Sequence, residues 1–145
     1  MAAVEIEIRG VDAILAKLGK AQATNVLRPP MQRAVLRIQR DMQEYPQQRA
    51  GSRYVRGRGM ANAQGVVEHR TSQQLGKRWT TKVAQSGQYL EGKVGNKVTY
   101  APFVQSNKFQ ARVHRGRWQT DTQVVNRLAR TIIGDFEQTI AEALR

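Results

Sequence analysis

The chain has 145 residues, enough for one domain with a buried core but too few for two well-packed domains. It contains no cysteine, which excludes disulfides, thiolate metal sites and a cysteine nucleophile, and no apolar run approaches the roughly 20 residues that cross a bilayer. With 24 Lys and Arg residues against 11 Asp and Glu residues, the net charge is +13, which favours an acidic partner or a nucleic acid.

The first predicted elements are a strand and a short helix. Val4, Ile6 and Ile8 alternate with charged residues, which is the period of a strand with one buried face. Apolar residues at helical spacing then predict an amphipathic helix over Val11–Leu18. The charged alternation also argues against a signal peptide, so we expect a soluble, cytosolic protein with no membrane partner.

A longer helix is predicted next, starting at a pair of prolines. Pro29 and Pro30 suit the first turn of a helix, where a missing amide hydrogen costs nothing, and the apolar spacing continues to about Tyr45. Pro46 ends the pattern. The opposite side of this helix carries Arg33, Arg37 and Arg40. Because charged side chains usually stay exposed, a solvated face is the favoured interpretation of these arginines.

The segment from Pro46 to Arg70 is predicted to be an extended basic arm, over about 46–70. It is rich in Gln, Gly, Arg and Asn and has few residues of the kind that become buried. Loops beyond about 15 residues are uncommon in compact domains unless they are functional or disordered, so we expect the arm to order on a partner. Its candidate interaction residues are Arg49, Arg53, Tyr54, Arg56, Arg58 and Arg70.

A helical turn and a hairpin are predicted after the arm. Thr71 or Ser72 can cap a single helical turn. The strand patterns Thr80–Ala84 and Tyr89–Val94 flank a turn that contains Gly87, which is typical of a β-hairpin.

A second basic segment follows the hairpin. Val98–Val104 is predicted to be a short strand that runs into a helical turn, because Pro102 argues against a central strand. A basic loop is then expected at about 106–118, and like the arm it is interpreted as a flexible extension that grips other components. Its candidate interaction residues are Lys108, Arg112, Arg115, Arg117 and Trp118.

The strongest helix pattern in the chain runs from about Thr122 to the end. Its apolar residues recur at intervals of three and four: Val125, Leu128, Ala129, Ile132, Ile133, Phe136, Ile140 and Leu144. Strands and helices mix without regular alternation along the chain, which indicates the α+β class. We therefore predict a single structural domain over 1–145, with a small, mainly antiparallel sheet packed by two longer helices and with long basic loops or arms.

The sequence offers few candidates for catalysis or cofactor binding. His69 and His114 lie far apart in basic surroundings, and the close acid pairs fall on faces that are otherwise solvated. No glycine-rich segment carries the Lys-Ser/Thr of a phosphate-binding loop. We therefore expect no enzyme activity, no cofactor and no metal site. The arginines of these segments could clamp phosphates while Tyr54 and Trp118 stack on bases, or they could bind carboxylates. Nucleic acid and a neighbouring protein are therefore both open as partners.

The order of several short motifs resembles a known family. These motifs are Val4–Gly10 before Val11–Leu18, Tyr45-Pro46 at a helix end, Tyr54-Val55-Arg56, Arg70-Thr71-Ser72-Gln73-Gln74-Leu75-Gly76-Lys77-Arg78-Trp79, and Gly95-Asn96 before Tyr100-Ala101-Pro102-Phe103-Val104-Gln105. Together they resemble the tail-completion, minor tail or head-tail joining proteins of long-tailed bacteriophages. Two departures from the family pattern are present. Gly57–His69 interrupts its Tyr-x-Arg-Thr run, and Ser106-Asn107 replaces its Gly-Thr.

The resemblance implies a structural role in the virion and no catalytic residues. It implies a homo-oligomeric ring, expected to be a hexamer, around the channel for phage DNA. The expected neighbours are the connector or stopper, the tail terminator and the tail tube, with non-specific contact to DNA. The expected location is the tail or neck of the virion, and the host cytoplasm during assembly. The alternative is a free protein that binds nucleic acid non-specifically through its arginine-rich loops.

Overall fold

A computed structural model of the chain describes residues 3–7, 16, 19–47, 54–55, 59–61, 64, 67–69, 73–86 and 89–145. Its elements in chain order are β1 (Ala3–Glu7), α1 (Lys20–Gln43), β2 (Tyr54–Val55), β3 (Gly59–Ala61), β4 (Val67–His69), α2 (Gln74–Lys77), β5 (Trp79–Ser86), β6 (Tyr89–Asn96), α3 (Ala101–Gln105), a 3-10 turn (Arg112–His114) and α4 (Asp121–Ala143). The predicted helix Val11–Leu18 lies outside the described residues except for Ala16, which is helical.

The main sheet has three antiparallel strands in the order β1-β6-β5. The predicted N-terminal strand and the predicted hairpin are both confirmed. In the register of the hairpin, Trp79 lies opposite Asn96 and Lys82 lies opposite Lys93. On the other side of β6, Glu5 lies opposite Lys93 and Glu7 opposite Glu91. Two long helices and an antiparallel sheet make the predicted α+β class correct.

The core lies between the sheet and the two long helices. Helix α1 packs on one face of β5 and β6, and α4 packs along α1. The buried core residues are Leu27, Met31, Ala34, Val35, Ile38, Met42, Trp79, Leu90, Val94, Val124, Ile132 and Phe136. The helix approaches the sheet closely at Gly92, where an added Cβ would lie 2.5 Å from the Met31 sulfur. Glycine is therefore required at this contact.

Helix α1 begins nine residues earlier than predicted, at Lys20 rather than Pro29. The prolines lie inside the helix, where each removes one backbone hydrogen bond. Ala23 and Leu27 are nevertheless buried and extend the apolar stripe of the helix by two turns. The burial of these two residues offsets the backbone hydrogen bonds that are lost at the prolines. The helix therefore begins before the prolines, and its predicted start was wrong.

The described part of the basic arm contains regular structure that was not predicted. Strands β2, β3 and β4 pair antiparallel in that order and form a second small sheet. These strands contain Tyr54, Val55 and Val67, whose residue types favour extended backbone. The interpretation of 46–70 as a loop without secondary structure is therefore wrong for these strands.

Two further local predictions are correct in part. The predicted helical turn after the arm is confirmed as α2, and the residue preceding it is Gln73, whose side chain makes no capping bond. The predicted caps Thr71 and Ser72 lie outside the described residues. In Val98–Val104 the predicted helical turn is confirmed as α3, whereas the predicted strand before it is absent, because the chain turns at residues 99–100. Pro102 lies in the first turn of α3, where its missing amide hydrogen costs nothing.

The C-terminal helix was predicted well, although its buried face is rotated slightly from the predicted stripe. Val124 is fully buried, whereas Ile133 and Leu144 from the predicted stripe are exposed. The helix starts with a capping box, in which the Thr120 hydroxyl accepts from the Gln123 amide at 3.3 Å. The Gln123 side chain accepts from the Thr120 amide at 3.0 Å in return.

Candidate interaction surface

A second apolar cluster lies beside the main core and contains several residues of the motifs singled out in the sequence. Its buried members are Leu75, Ala101 and Val104, and its partly buried members are Tyr45, Val98 and Trp118. The Tyr45 ring meets the Trp118 ring edge to face at a centroid distance of 5.0 Å. This cluster joins the end of α1 to α2, α3 and the second basic loop.

Buried polar side chains hold the backbone around this cluster. Asn96 donates to the Leu75 carbonyl oxygen at 2.7 Å and accepts from the Val98 amide at 2.9 Å. Gln105 donates to the Met42 carbonyl oxygen at 2.8 Å, which ties α3 to the end of α1. The carbonyl oxygens of Leu75 and Met42 are bonded in buried positions and the Val98 amide in a partly buried one, so these polar residues have a structural role.

The second basic loop is fixed against the domain. Gln110 is buried and donates to the carbonyl oxygens of Val104 at 2.8 Å and Trp118 at 3.0 Å. The Ala111 amide donates to the Phe103 carbonyl oxygen at 2.8 Å, which draws the loop onto α3. The expectation that this loop is a flexible extension is therefore wrong, because its own contacts hold it in place.

The basic residues of this loop point outward and have no acidic partner. Lys108, Arg112, Arg115 and Arg117 are all exposed, and among the described residues none of them forms an ion pair. The sequence contains no acid from residue 97 to residue 120. Arg115 donates to the Gln110 carbonyl oxygen at 3.4 Å, a long bond that leaves most of the guanidinium group available. The loop thus presents four cations to solvent.

Exposed apolar side chains lie among these cations. The exposed fractions are 46% for Tyr100, 56% for Phe103, 56% for Phe109 and 70% for Val113. The Lys108 ammonium lies 5.2 Å from the centre of the Phe109 ring. We call these four residues, together with Lys108, Arg112, Arg115 and Arg117, the basic-aromatic surface. Large apolar side chains concentrated on α3 and its adjoining loop are typical of a binding surface.

The basic-aromatic surface contains four of the residues predicted to interact with a partner, Lys108, Arg112, Arg115 and Arg117, and all four are exposed. Trp118 was proposed to stack on bases, but its ring packs against Tyr45 and, edge-on at 6.5 Å, against His114. Its role is therefore structural. The sequence did not indicate which apolar side chains of this surface are exposed, because their exposure depends on the path of the chain around α3. These residues are Tyr100, Phe103, Phe109 and Val113.

The other half of the predicted site lies largely outside the described residues. This applies to Arg49, Arg53, Arg56, Arg58 and Arg70. Tyr54 belongs to β2, where only the backbone is described. A joint site formed by the two basic segments stays a prediction.

Arginines elsewhere on the protein serve to join the two long helices. On α1, Arg37 binds the Asp135 carboxylate of α4 at 2.5 Å, and Arg33 lies 3.7 Å from the same carboxylate. Arg127 of α4 binds Asp41 of α1 at 2.9 Å. The α1 arginines were interpreted as a solvated face, and two of them instead make these ion pairs between helices.

The environment of His114 follows from its position on the loop. Burial, and after it the positive charge of Arg117, lowers the pKa of His114 below the ordinary value of 6.5. A neutral imidazole is therefore favoured beside the Trp118 ring, and His114 adds no charge to the surface near neutral pH.

No group of three or more His, Asp or Glu side chains suited to a metal occurs in the described part of the chain. No helix among the same residues is long and apolar enough to cross a membrane. Comparison with known protein families, curated proteins and solved structures finds no match for this chain.

Proposed function

We propose that this chain is a structural subunit of a long-tailed bacteriophage that completes the tail or joins it to the head. The observation that carries the proposal is the contact between motifs that are distant in sequence. Tyr45, Gly76 and Asn96 come from three separate motifs of the family resemblance, yet all three lie at the second apolar cluster. Such contacts are expected if these motifs together build one part of a fold shared with the family.

The basic-aromatic surface suits docking to a neighbouring protein of the neck or tail. Burial of its apolar side chains against a partner is favourable, and its arginines can bind carboxylates through two parallel hydrogen bonds. Assembly around a DNA channel would also tolerate positive charge, since non-specific attraction to phosphates requires no base recognition. The ring, its hexameric count and its neighbours in the neck belong to this proposal.

Non-specific binding of nucleic acid is the second candidate. It is favoured by Lys108 and Arg112, for which no described acid forms an ion pair, and by the exposed Phe109 ring, which can stack on a base. The internal packing of Trp118 removes one of the two stacking residues first considered for this function. Tight binding by the isolated protein, with a salt slope of about 0.9 per phosphate contacted, would favour this candidate over the first.

The proposal is tested by adding the purified protein to tails made without it and imaging the tail ends by negative-stain electron microscopy. We expect added density at one end of the tail and recovery of joining to heads. The double variant Lys108→Glu/Arg112→Glu should fold normally but lose this density. Its matched control, Arg130→Glu/Arg145→Glu, changes equally exposed charges elsewhere and should retain it. Absence of end-bound density for the unmodified protein at every salt concentration would overturn the proposal.

A further inference from the structure

Strand β5 has an open edge in the described structure. The order β1-β6-β5 puts β6 in the centre, and no described strand pairs with the outer side of β5. Half of the backbone groups of an edge strand face away from its partner, and a strand of eight residues offers a long template for another strand. Gln39 donates to the Trp79 carbonyl oxygen at 3.0 Å, which covers only the start of the strand.

The two edge strands of the sheet carry opposite charges. Strand β5 contains Lys82 and no acid, whereas β1 contains Glu5 and Glu7 and no basic residue. In a protein with a net charge of +13, two copies repel each other unless a contact brings the few acids against basic residues. Strands β5 and β1, the two outer strands of this sheet among the described residues, meet this condition.

We propose that β5 of one copy pairs with β1 of a second copy, so that the sheet continues from subunit to subunit. Both strands run antiparallel to β6 and therefore in the same direction. A second copy in the same orientation thus presents its β1 parallel to β5. Because the contact uses two different surfaces, it repeats head to tail and closes into a ring if the rotation between copies allows. This inference rests on the self-assembly in the proposed function and not on the location in a virion.

Charge also argues against the two symmetric ways of pairing the edges. Pairing β5 with β5 brings Lys82 near its own copy, and pairing β1 with β1 brings acids together, both of which are unfavourable. A lysine on an edge strand commonly disfavours pairing with other strands. Pairing with an acidic strand compensates the charge of Lys82, so Lys82 favours β1 over other edges.

The test uses one charge reversal on each edge. Lys82→Glu reverses the charge of β5, where Lys82 is exposed. Glu7→Lys reverses that of β1, and since Glu7 lies opposite Glu91 in the register, the change does not weaken pairing within the chain. Lys97→Glu is the matched control, because Lys97 is exposed and lies outside the sheet.

Association is measured by sedimentation velocity over a range of protein concentrations. We expect the unmodified protein and Lys97→Glu to associate equally, and each edge variant alone to associate about tenfold more weakly or less. An equimolar mixture of the two edge variants should recover association, because every contact then joins opposite charges. A misfolded variant cannot be rescued in this way.

Three results would overturn the inference: a monomer at all concentrations, edge variants that associate like the control, or a mixture that does not recover. A monomer at all concentrations would also contradict the proposed ring, whereas the other two results would leave a ring with a different contact. The binding of the protein to tail ends is measured separately, so failure of this contact is distinguishable from failure of the structural role.

Discussion

The backbone amide of Gly76 donates a hydrogen bond to the Tyr45 hydroxyl at 3.0 Å, across 31 residues of sequence. The ring lies so close that a Cβ added at residue 76 would be 2.7 Å from its Cε2 atom. This contact joins the end of α1 to α2 and supports the loop through Trp118, which packs on the same ring. Tyr45 and Gly76 therefore act as one structural unit beneath the basic-aromatic surface.

Replacing Gly76 with alanine should destabilise the protein. The new methyl group requires the Tyr45 ring to move, and overpacking of this kind costs roughly 1 to 3 kcal/mol. Urea unfolding should give that loss in the free energy of unfolding. Tyr45→Phe is the milder variant, since it keeps the ring and removes the hydroxyl that accepts from the Gly76 amide, at about 1 kcal/mol. Equal stability of Gly76→Ala and the unmodified protein would show that the ring is not held against α2.

Substituting alanine at Gly92 and at Gly134 should change stability in opposite directions. At Gly92 the added Cβ would lie 2.5 Å from the Met31 sulfur and 2.7 Å from a Val35 methyl carbon, so we expect a loss of roughly 1 to 3 kcal/mol. At Gly134, in the exposed part of α4, nothing lies within 4 Å, and alanine should add about 0.5 to 1 kcal/mol through its helix propensity. Thermal unfolding of both variants measures the two changes in stability. A gain of stability at Gly92 would contradict the close packing of α1 on the sheet, and a loss at Gly134 would contradict the open surroundings of that position.

Loss of the capping box should weaken the start of α4. Thr120→Ala removes the acceptor of the Gln123 amide in a buried position, and we expect a loss of about 1 kcal/mol in the free energy of unfolding. Thr131→Ala, at an exposed position within the same helix, is the control and should be neutral or slightly stabilising. If the two variants lose the same stability, the cap contributes nothing specific.

Protonation of His114 should destabilise the folded protein. Burial and the charge of Arg117 lower the pKa of His114 below 6.5, so the unfolded chain binds this proton more readily than the folded one. The contribution of His114 to stability is therefore complete above about pH 6.5 and is lost as the pH falls through the lower, folded pKa. Melting temperatures between pH 5 and 8 should show this fall for the unmodified protein.

The matching controls for this pH dependence are His114→Gln and Arg117→Gln. The first should flatten the part of the profile that belongs to His114, and the second should raise the pKa of His114 because it removes the repelling charge. An NMR titration of the His114 ring measures the pKa directly. A pKa at or above 6.5 in the unmodified protein would contradict the partial burial of the ring beside Trp118 and its repulsion by Arg117.

Sequence patterns were sufficient for elements whose burial follows a regular period. The hairpin was predictable because Tyr89–Asn96 alternates between exposed and buried positions, and α4 because its apolar spacing is long and sustained. The capping box at Thr120 and Gln123 was also readable from their spacing but was overlooked.

The remaining features depend on contacts that no local pattern contains. The start of α1 was missed because burial of Leu27 outweighs the local signal of Pro29 and Pro30. Trp118 was given the wrong role, since its partner Tyr45 lies far away in the sequence. The charges of the second basic loop were predictable from the sequence. The exposure of the aromatic side chains beside them depends on the path of the chain around α3, which no local pattern indicates.

The central claim is that this chain is a structural component of a phage particle, and its position in that particle tests the claim most directly. The measurement is immunogold electron microscopy of purified particles that contain an epitope-tagged copy of the chain. We predict gold label at the junction of head and tail or at a tail end, in nearly every intact particle. Intact, infectious particles that carry no copy of the chain would contradict the account.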